Sequence, residues 1–248
     1  YARGLEHSPP DGRRCVGHGG LWPGYRTELL HLPEDGLSVV VISNSMAQNP
    51  YALARQVARA VLGSKPAVAV PPLDGLEGRW LCAEVPALFD LAVRNGELCA
   101  TQWGMPFVLE PHADGSWLPL RGAYEFRLNR LDAHTLQVDL GAGQRARFQR
   151  LGDAAPLPND LAGDYRCADI GADWRIDANG QTLRLRGPHA AGVVWKLCGL
   201  TPDLVEVLGH SGGMPSAQLA RIERDAAGHP VALQVHTSRI RGLRFERV

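Results

Sequence analysis

An internal repeat constrains the fold of this chain more than any other feature of its sequence. Residues 76–85, LEGRWLCAEV, recur 85 positions later as residues 161–170, LAGDYRCADI. The two copies also end alike, with RFQR at residues 147–150 and RFER at residues 244–247. A duplication of this kind is typical of tandem copies of one structural unit. The sequence therefore predicts two successive domains of about 80 to 90 residues each, with the same fold.

Each copy has the pattern of an all-β domain. Apolar and other residues alternate along residues 89–93, and Asn95-Gly96 and Asp114-Gly115 are typical hairpin turns. Many short strands separated by such turns indicate a small closed antiparallel barrel. The interior of a barrel of this size is usually filled by side chains, so a ligand inside is the less favoured interpretation. The predicted fold class is mainly β.

The segment that precedes the repeat predicts three strands. They cover residues 16–20, with the first starting near Arg13, then residues 25–32 and residues 38–43. Pro23-Gly24 is a turn signal between the first two strands. Residues 33–36, Pro-Glu-Asp-Gly, predict the hairpin turn that joins the last two.

A helix is predicted to follow these strands. Asn49 can cap its first turn, Pro50 suits its first position, and Gly63 stops it. Its expected apolar stripe contains Tyr51, Leu53, Ala54, Val57, Ala58, Val61 and Leu62. One helix can cover only one side of a sheet, so we expect one sheet face and one sheet edge to remain uncovered. Three prolines in residues 64–72 predict a stiff extended linker.

The stretch His18-Gly19-Gly20 is the best candidate for a chemical function. It places a titratable side chain beside backbone that has almost no side chains. Such backbone can approach a ligand closely, and its N–H groups can bind an anion. Alone, the tripeptide is more typical of a tight turn with a surface histidine. The neighbouring Pro23-Gly24-Tyr25-Arg26 and the apolar strand at residues 37–42 favour the functional interpretation.

Together these motifs resemble the end of the catalytic domain of penicillin-recognising serine hydrolases. That family includes class C β-lactamases, D,D-peptidases, esterases and D-aminopeptidases, and its third motif is Lys-Thr-Gly or His-x-Gly. Residues 18–20 match the His-x-Gly form. Two tandem barrels after such a domain look like the pair of lipocalin-like barrels of bacterial D-aminopeptidases. The resemblance thus covers the whole chain.

The first two motifs of that family do not occur in this chain. Lys65 and Lys196 are its two lysines, and Leu62 and Val193 stand three residues before them, so there is no Ser-x-x-Lys. No tyrosine begins a Tyr-x-Asn or Tyr-x-Ser motif. The chain therefore resembles the C-terminal part of a larger enzyme. The implied domains are a catalytic-domain remnant at 1–63, a linker at 64–72, and barrels at 73–154 and 155–248.

The resemblance also implies which residues act on a substrate. His18, Gly20 and Leu21 become candidate catalytic residues, with His18 bonding a substrate carboxylate or assisting proton transfer and the Leu21 N–H serving as an oxyanion donor. Gly19 becomes a substrate-binding residue. Neither a metal site nor a cofactor is expected.

A second candidate region is the segment at residues 209–216 of the second barrel. In D-aminopeptidases a loop of the last barrel reaches into the catalytic cleft, and this glycine-rich segment is where we place it. His210 and Ser211 are then candidate substrate-binding residues. The segment contains no Asp or Glu to hold a free amine, which argues against strict aminopeptidase specificity. The sequence of the segment alone favours a mobile surface hairpin over a substrate-contacting loop.

Composition limits the partners. Lysine and arginine total 26, as do aspartate and glutamate, so the chain lacks the basic footprint of a nucleic-acid or anionic-membrane binder. The expected partner is a small peptide, amide or ester substrate, and a homodimer is left open. The five cysteines form no Cys-x-x-Cys pattern, which favours reduced thiols in the cytoplasm. The periplasm is the alternative if a signal peptide precedes this segment.

These observations favour the C-terminal part of a serine hydrolase, most similar to a D-aminopeptidase, that cleaves amide or ester bonds. The alternative is a non-catalytic module in which the barrels mediate binding or assembly. Since this chain lacks Ser-x-x-Lys, whether it has activity by itself is left open.

Overall fold

The computed structural model describes most of the chain. The described residues are 4–8, 13–45, 48–63, 71–112, 114–119, 126–139, 145–153, 155–177, 179, 181–186, 194–211, 214–237 and 240–248. The predicted linker at 64–72 lies mainly outside these ranges. None of the described helical residues belongs to a helix with the length and hydropathy of a membrane span.

A four-stranded antiparallel sheet opens the chain. Its strands are β1 (Glu6–Ser8), β2 (Cys15–Trp22), β3 (Tyr25–Leu32) and β4 (Leu37–Ser43), and they neighbour one another in that order. The three predicted strands are confirmed, although the first extends to Trp22 rather than ending at Gly20. β1 was not predicted, because three residues are too few to show a periodicity.

The helix α1 (Pro50–Leu62) covers one face of this sheet. Its start is as predicted: the Asn49 side chain accepts a hydrogen bond of 3.3 Å from the Ala52 N–H. The shared core contains Cys15, Leu30, Leu32 and Val39 from the strands and Ala54 and Ala58 from the helix. The predicted apolar stripe is only half right, because Leu53, Val57 and Val61 are exposed. A straight helix on a sheet buries one narrow face, and these three residues lie outside it.

Two closed antiparallel barrels follow, as the repeat predicts. The first contains β5 (Gly78–Cys82), β6 (Ala87–Arg94), β7 (Glu97–Gln102), β8 (Met105–Pro111), β9 (Trp117–Pro119), β10 (Arg127–Arg130), β11 (Thr135–Asp139) and β12 (Arg145–Arg150). The second contains β13 (Gly163–Cys167), β14 (Ala172–Ile176), β15 (Thr182–Arg186), β16 (Val194–Thr201), β17 (Leu204–Ser211), β18 (Met214–Arg224), β19 (Pro230–His236) and β20 (Leu243–Arg247). In each barrel the last strand pairs with the first.

The repeated residues close both barrels in the same way. In the first barrel the guanidinium of Arg150 lies 5.0 Å from the centre of the buried Trp80 ring and donates to the Glu77 carbonyl. In the second barrel the guanidinium of Arg247 lies 6.0 Å from the Tyr165 ring centre and donates to the Ala162 carbonyl. Residues 77 and 162 are again 85 positions apart.

The aromatic residues of the repeat form the adjoining core. Phe148 of the closing strand packs against Phe89, with ring centroids 5.0 Å apart. Phe245 stacks on Trp174 at 4.1 Å. The repeated residues therefore make the same contacts in both barrels. Each barrel joins its first and last strands by an arginine–aromatic contact and a buried ring pair.

Residue contacts divide the chain into two compact units. The first contains residues 1–76, 92–100 and 107–147, and the second contains residues 77–91, 101–106 and 148–248. The boundary runs through the first barrel, so the second unit holds three pieces of that barrel, residues 77–91, 101–106 and 148–150, together with the whole second barrel. The predicted domain boundaries remain a prediction.

Within the second unit, the outer sides of strands from both barrels pack together. Leu81 and Leu88 of the first barrel form one apolar cluster with Leu200, Leu204 and Leu219 of the second. This cluster is separate from the interior of the second barrel, whose core is filled by its own side chains, among them Tyr165, Trp174, Leu197, Val207, Ile222 and Phe245.

Candidate functional site

The predicted catalytic residues lie together on one strand edge. His18, Gly19, Gly20 and Leu21 are consecutive in β2. β1 pairs with β2 opposite residues 15–17, so among the described residues no strand lies beside the edge from His18 to Trp22. We call residues 18–22 the open edge. In an antiparallel strand, alternate residues direct their N–H and C=O groups to each side, so this edge presents backbone groups to a binding partner.

The glycines of β2 are required by close packing. A Cβ atom at Gly20 would lie 2.3 Å from Oγ1 of Thr27, and one at Gly17 would lie 2.2 Å from the Leu29 carbonyl oxygen. Real Cβ atoms do not approach other atoms so closely. At Gly17 the neighbouring atom is backbone, so a side chain there would move β3, whereas at Gly20 the Thr27 side chain would have to change its rotamer.

His18 belongs to the sheet face opposite α1. Cross-strand register places it opposite Leu29, which in turn lies opposite Val40. Because directly paired residues share one face of a sheet, these three side chains form one surface with their neighbours Thr27 and Ile42. We call it the outer face. It is largely apolar and open: Val40 is 62% exposed and Ile42 is 77% exposed. This confirms the expectation of an uncovered sheet face.

The open edge and the outer face together could bind a substrate and assist proton transfer. An extended substrate can form backbone hydrogen bonds with a strand edge that no described strand covers. The imidazole of His18, which is exposed to solvent, can donate or accept a proton beside it. The apolar outer face can pack against further protein that excludes water from the site. The nucleophile for such chemistry is not present among these residues.

The second candidate region is part of a long β-hairpin. β17 and β18 pair from Leu204–Arg221 to Ser211–Met214, and the register places Gly209 opposite Ser216 and His210 opposite Pro215. The neighbouring strands are shorter: β16 pairs with β17 up to Leu208, and β19 pairs with β18 from Leu219. Residues 209–211 and 214–216 therefore extend beyond the adjoining ladders, and we call residues 209–216 the tip segment. Residues 212 and 213 lie outside the described residues.

Two close contacts flank the base of the tip segment. A Cβ atom at Gly209 would lie 2.4 Å from the indole ring of Trp195, so the ring rests directly on the backbone. A Cβ atom at Gly104 would lie 2.8 Å from the backbone nitrogen of Ser216. A cavity of about 370 Å³ is lined by these residues together with His210 and Pro215.

The structure keeps the predicted site residues in two groups. His18, Gly19, Gly20 and Leu21 share the open edge in the first unit, and His210 and Ser211 share the β17–β18 hairpin in the second. That the two groups act on one substrate stays a prediction. His210 is exposed to solvent.

Sequence analysis missed an ion pair on the outer side of the second barrel. Arg79 of β5 donates to the carboxylate of Glu206 on β17, and the Glu206 side chain is 11% exposed. Burial raises the pKa of Glu206 above its usual value of 4.5, although the positive charge of Arg79 opposes this. The two residues are 127 positions apart, and no sequence pattern links them.

Sequence comparison shows what the chain is related to. No protein-family model matches it. A D-aminopeptidase of Cereibacter sphaeroides strain KD131 is 36% identical over 225 residues, which cover 82% of this chain and 39% of that protein. A D-aminopeptidase of Brucella ovis is 26% identical over 261 aligned positions, which cover 100% of this chain and 48% of that protein.

The chain is homologous to the bacterial D-aminopeptidases. It spans less than half the length of these curated relatives, between 39% and 48%. This homology confirms the family resemblance that His18-Gly19-Gly20 and the tandem barrels suggested.

Two solved structures show some similarity to the chain. The octameric penicillin-binding protein homologue from Pyrococcus abyssi is 15% identical, with 99% of this chain and 36% of that chain covered and a TM-score of 0.26. A crystal structure of SurE with D-Leu is 21% identical, with 59% of this chain and 38% of that chain covered and a TM-score of 0.25. The relationship to D-aminopeptidases therefore rests on the sequence relatives.

Proposed function

We propose that this chain is the C-terminal part of a serine hydrolase that cleaves amide or ester bonds, a D-aminopeptidase-like peptidase that acts through an acyl-enzyme. The observation that carries the proposal is the open edge of β2, which presents His18 beside two glycines in a chain homologous to D-aminopeptidases. The nucleophilic serine and its lysine would come from protein outside these 248 residues.

The proposed reaction gives the open edge two tasks. A serine oxygen attacks the substrate carbonyl, and the carbonyl oxygen gains negative charge that needs N–H donors. The backbone N–H of Leu21 is one such donor in our proposal. His18 binds the substrate carboxylate or moves a proton to the leaving amine, while Gly19 and Gly20 let the substrate backbone approach the strand.

The tip segment would limit the length of the substrate. In our proposal His210 and Ser211 are its polar contacts with the substrate. A site limited in this way accepts a short substrate with a single D-residue before the cleaved bond and excludes longer ones. Because the segment has no Asp or Glu, the free amine must be held by another part of the protein.

The first test uses the chain as given. The purified 248-residue protein should not hydrolyse D-alanine p-nitroanilide, a simple ester or a β-lactam above background, because it lacks a Ser-x-x-Lys nucleophile. The complete gene product, if it contains Ser-x-x-Lys and Tyr-x-Asn upstream, should hydrolyse the p-nitroanilide and be inactivated by a serine-directed reagent. Turnover by the 248-residue chain alone would refute the proposal.

The second test isolates His18. In the complete protein, His18→Ala should lower kcat/KM by roughly 100-fold or more, the usual contribution of a general acid or base. His31→Ala is the matched control, because His31 lies on the same sheet face and bonds Ser38 at 2.9 Å rather than a substrate. Equal activity of the two variants would contradict the role of His18. Absence of Ser-x-x-Lys from the complete gene product would instead favour a non-catalytic barrel module.

A further inference from the structure

A further cavity of the second unit lies where the outer sides of strands from the two barrels meet. Its volume is about 350 Å³, and we call it the junction cavity. Arg79, Asp90 and Thr101 line it from the first barrel, and residues of β16, β17 and β18 line it from the second. All of these residues belong to the second unit. Pockets that bind small molecules have volumes from about 300 Å³, so a small ligand fits this space.

The charged side chains of the junction cavity do not balance. Two of them are the carboxylates of Asp90 and Glu206, and one is the guanidinium of Arg79. Arg79 lies opposite Asp90 in the β5–β6 ladder but donates its hydrogen bond to Glu206. None of the described basic side chains forms an ion pair with Asp90. With both carboxylates ionised, the cavity therefore has an excess of one negative charge.

One oxygen of the Glu206 carboxylate is left for a ligand. Arg79 donates to Oε2, and no described residue donates to Oε1. The whole residue is only 8% exposed and lines the junction cavity, so water has little access to its carboxylate. Burial raises the pKa of Glu206, and so does the negative charge of Asp90, although Arg79 opposes both. A cationic donor in the cavity would complete the hydrogen bonds of this carboxylate and neutralise the excess charge.

The rest of the lining suits an apolar body. Leu88, Leu208 and Leu219 contribute aliphatic surface. Trp103 also lines the junction cavity, and its carbonyl accepts a hydrogen bond of 3.1 Å from the Ala217 N–H. The turn between β7 and β8 is thereby fixed to β18 beside the cavity. A charged head group that carries a short hydrocarbon chain or ring matches both the polar and the apolar part of this lining.

We propose that the junction cavity binds a small organic ammonium ion. The ammonium group lies between the carboxylates of Asp90 and Glu206 and donates to Oε1 of Glu206. The apolar body packs against the three leucines that line the cavity. Nothing in this binding requires catalysis, so it can be measured on the 248-residue chain.

Three ligands of similar shape test the preference for a cation. Phenethylammonium is cationic, phenethyl alcohol is neutral and phenylacetate is anionic. In calorimetric titrations at pH 8, phenethylammonium should bind at one site about tenfold or more tightly than the alcohol, the usual gain from a hydrogen bond between charged groups. Phenylacetate should bind most weakly. Equal affinities of the three ligands, or no binding of phenethylammonium at about 10 mM, would overturn the proposal.

Cys198 reports whether the ligand lies in the junction cavity. It is partly exposed, lines the cavity and lies opposite Glu206 in the β16–β17 ladder. Cys99 is also partly exposed but does not line the cavity, so it is the internal control. Phenethylammonium at nine-tenths occupancy should slow the alkylation of Cys198 by iodoacetamide about tenfold, because only the empty tenth reacts, and leave Cys99 unaffected. Equal effects on both thiols, measured by peptide mass spectrometry, would place the ligand elsewhere and refute the site.

Substitutions that remove one charge without changing the shape of the side chain test the carboxylates. Glu206→Gln should weaken phenethylammonium binding about tenfold or more. Asp90→Asn, at an exposed position where folding is not at risk, should weaken it about threefold. Glu223→Gln is the matched control, because Glu223 also accepts from an arginine, Arg244 at 2.8 Å, but does not line the cavity. Affinity as high in Glu206→Gln or in Asp90→Asn as in the control would contradict the proposed ammonium site.

Discussion

The ion pair between Arg79 and Glu206 predicts an asymmetric response to mutation. Arg79→Leu leaves the Glu206 carboxylate in a site where its side chain is 11% exposed, beside the negative charge of Asp90. Glu206→Leu leaves Arg79, whose side chain is 29% exposed and whose long stem can bring the guanidinium to water. We therefore expect the loss of the arginine to be the more destabilising change.

The magnitude follows from the burial of the residue that remains. Removing one partner of a buried ion pair costs about 3 to 5 kcal/mol. Glu206 is nearly buried, so Arg79→Leu should cost about 3 kcal/mol at pH 8, while Glu206→Leu should cost about 1 kcal/mol because Arg79 is partly solvated. The double variant has no buried charge and should lie within about 1 kcal/mol of wild type.

The cost of Arg79→Leu should depend on pH. Burial raises the pKa of Glu206 above 4.5, and removal of Arg79 raises it further. A carboxyl whose pKa is raised by folding destabilises the fold increasingly as pH rises from the unfolded pKa to the raised pKa, and the penalty is complete above the raised pKa and absent below the unfolded one. Acidification from pH 8 should therefore restore stability to the variant, by at most about 1.4 kcal/mol per pH unit.

Urea unfolding at pH 8 and pH 5 measures these effects. Wild type, the two single variants and the double variant are compared by tryptophan fluorescence, with far-UV circular dichroism as a second probe of the same transition. Equal losses for the two single variants, or a loss in Arg79→Leu that does not shrink at pH 5, would refute the argument that a buried carboxylate is the source of the cost.

Three further predictions concern stability. Burial, with the positive charges of Arg241 and Arg221, lowers the pKa of His236 below 6.5. The contribution of His236 to the free energy of unfolding should therefore be complete above pH 6.5 and fall below that pH by up to about 1.4 kcal/mol per pH unit. His236→Leu should remove this dependence, as measured by urea titrations at pH 7.5 and 5.5. Gly209→Ala should lower the melting temperature of the chain by several degrees because its Cβ would meet the Trp195 ring at 2.4 Å, and Gly152→Ala, with nothing within 4 Å, should lower it less. Residues 73–248 expressed alone should be soluble and β-rich, since each barrel closes its own sheet; an aggregate would contradict that expectation.

Features that depend on neighbouring residues were predictable from the sequence. The Asn49 cap, the turn at Gly24 and the turn at Gly36 each involve a few consecutive residues, and the structure has all three. The repeat carried information over a longer range, because Arg150 and Arg247 perform the same task in two copies of one fold. Such signals depend on steric preferences and hydrogen bonds that operate whatever the rest of the chain does.

The tertiary structure alone decided the contacts between distant strands. Neighbouring elements decide which face of α1 is buried. They also decide how far β18 extends beyond its pairing with β19. Trp103-Gly104 looks in sequence like an ordinary turn. It meets Ala217 only because the turn between β7 and β8 of the first barrel packs against β18 of the second. Local sequence preferences do not predict such long-range contacts, because the energy of a long-range contact appears only after the intervening strands have folded.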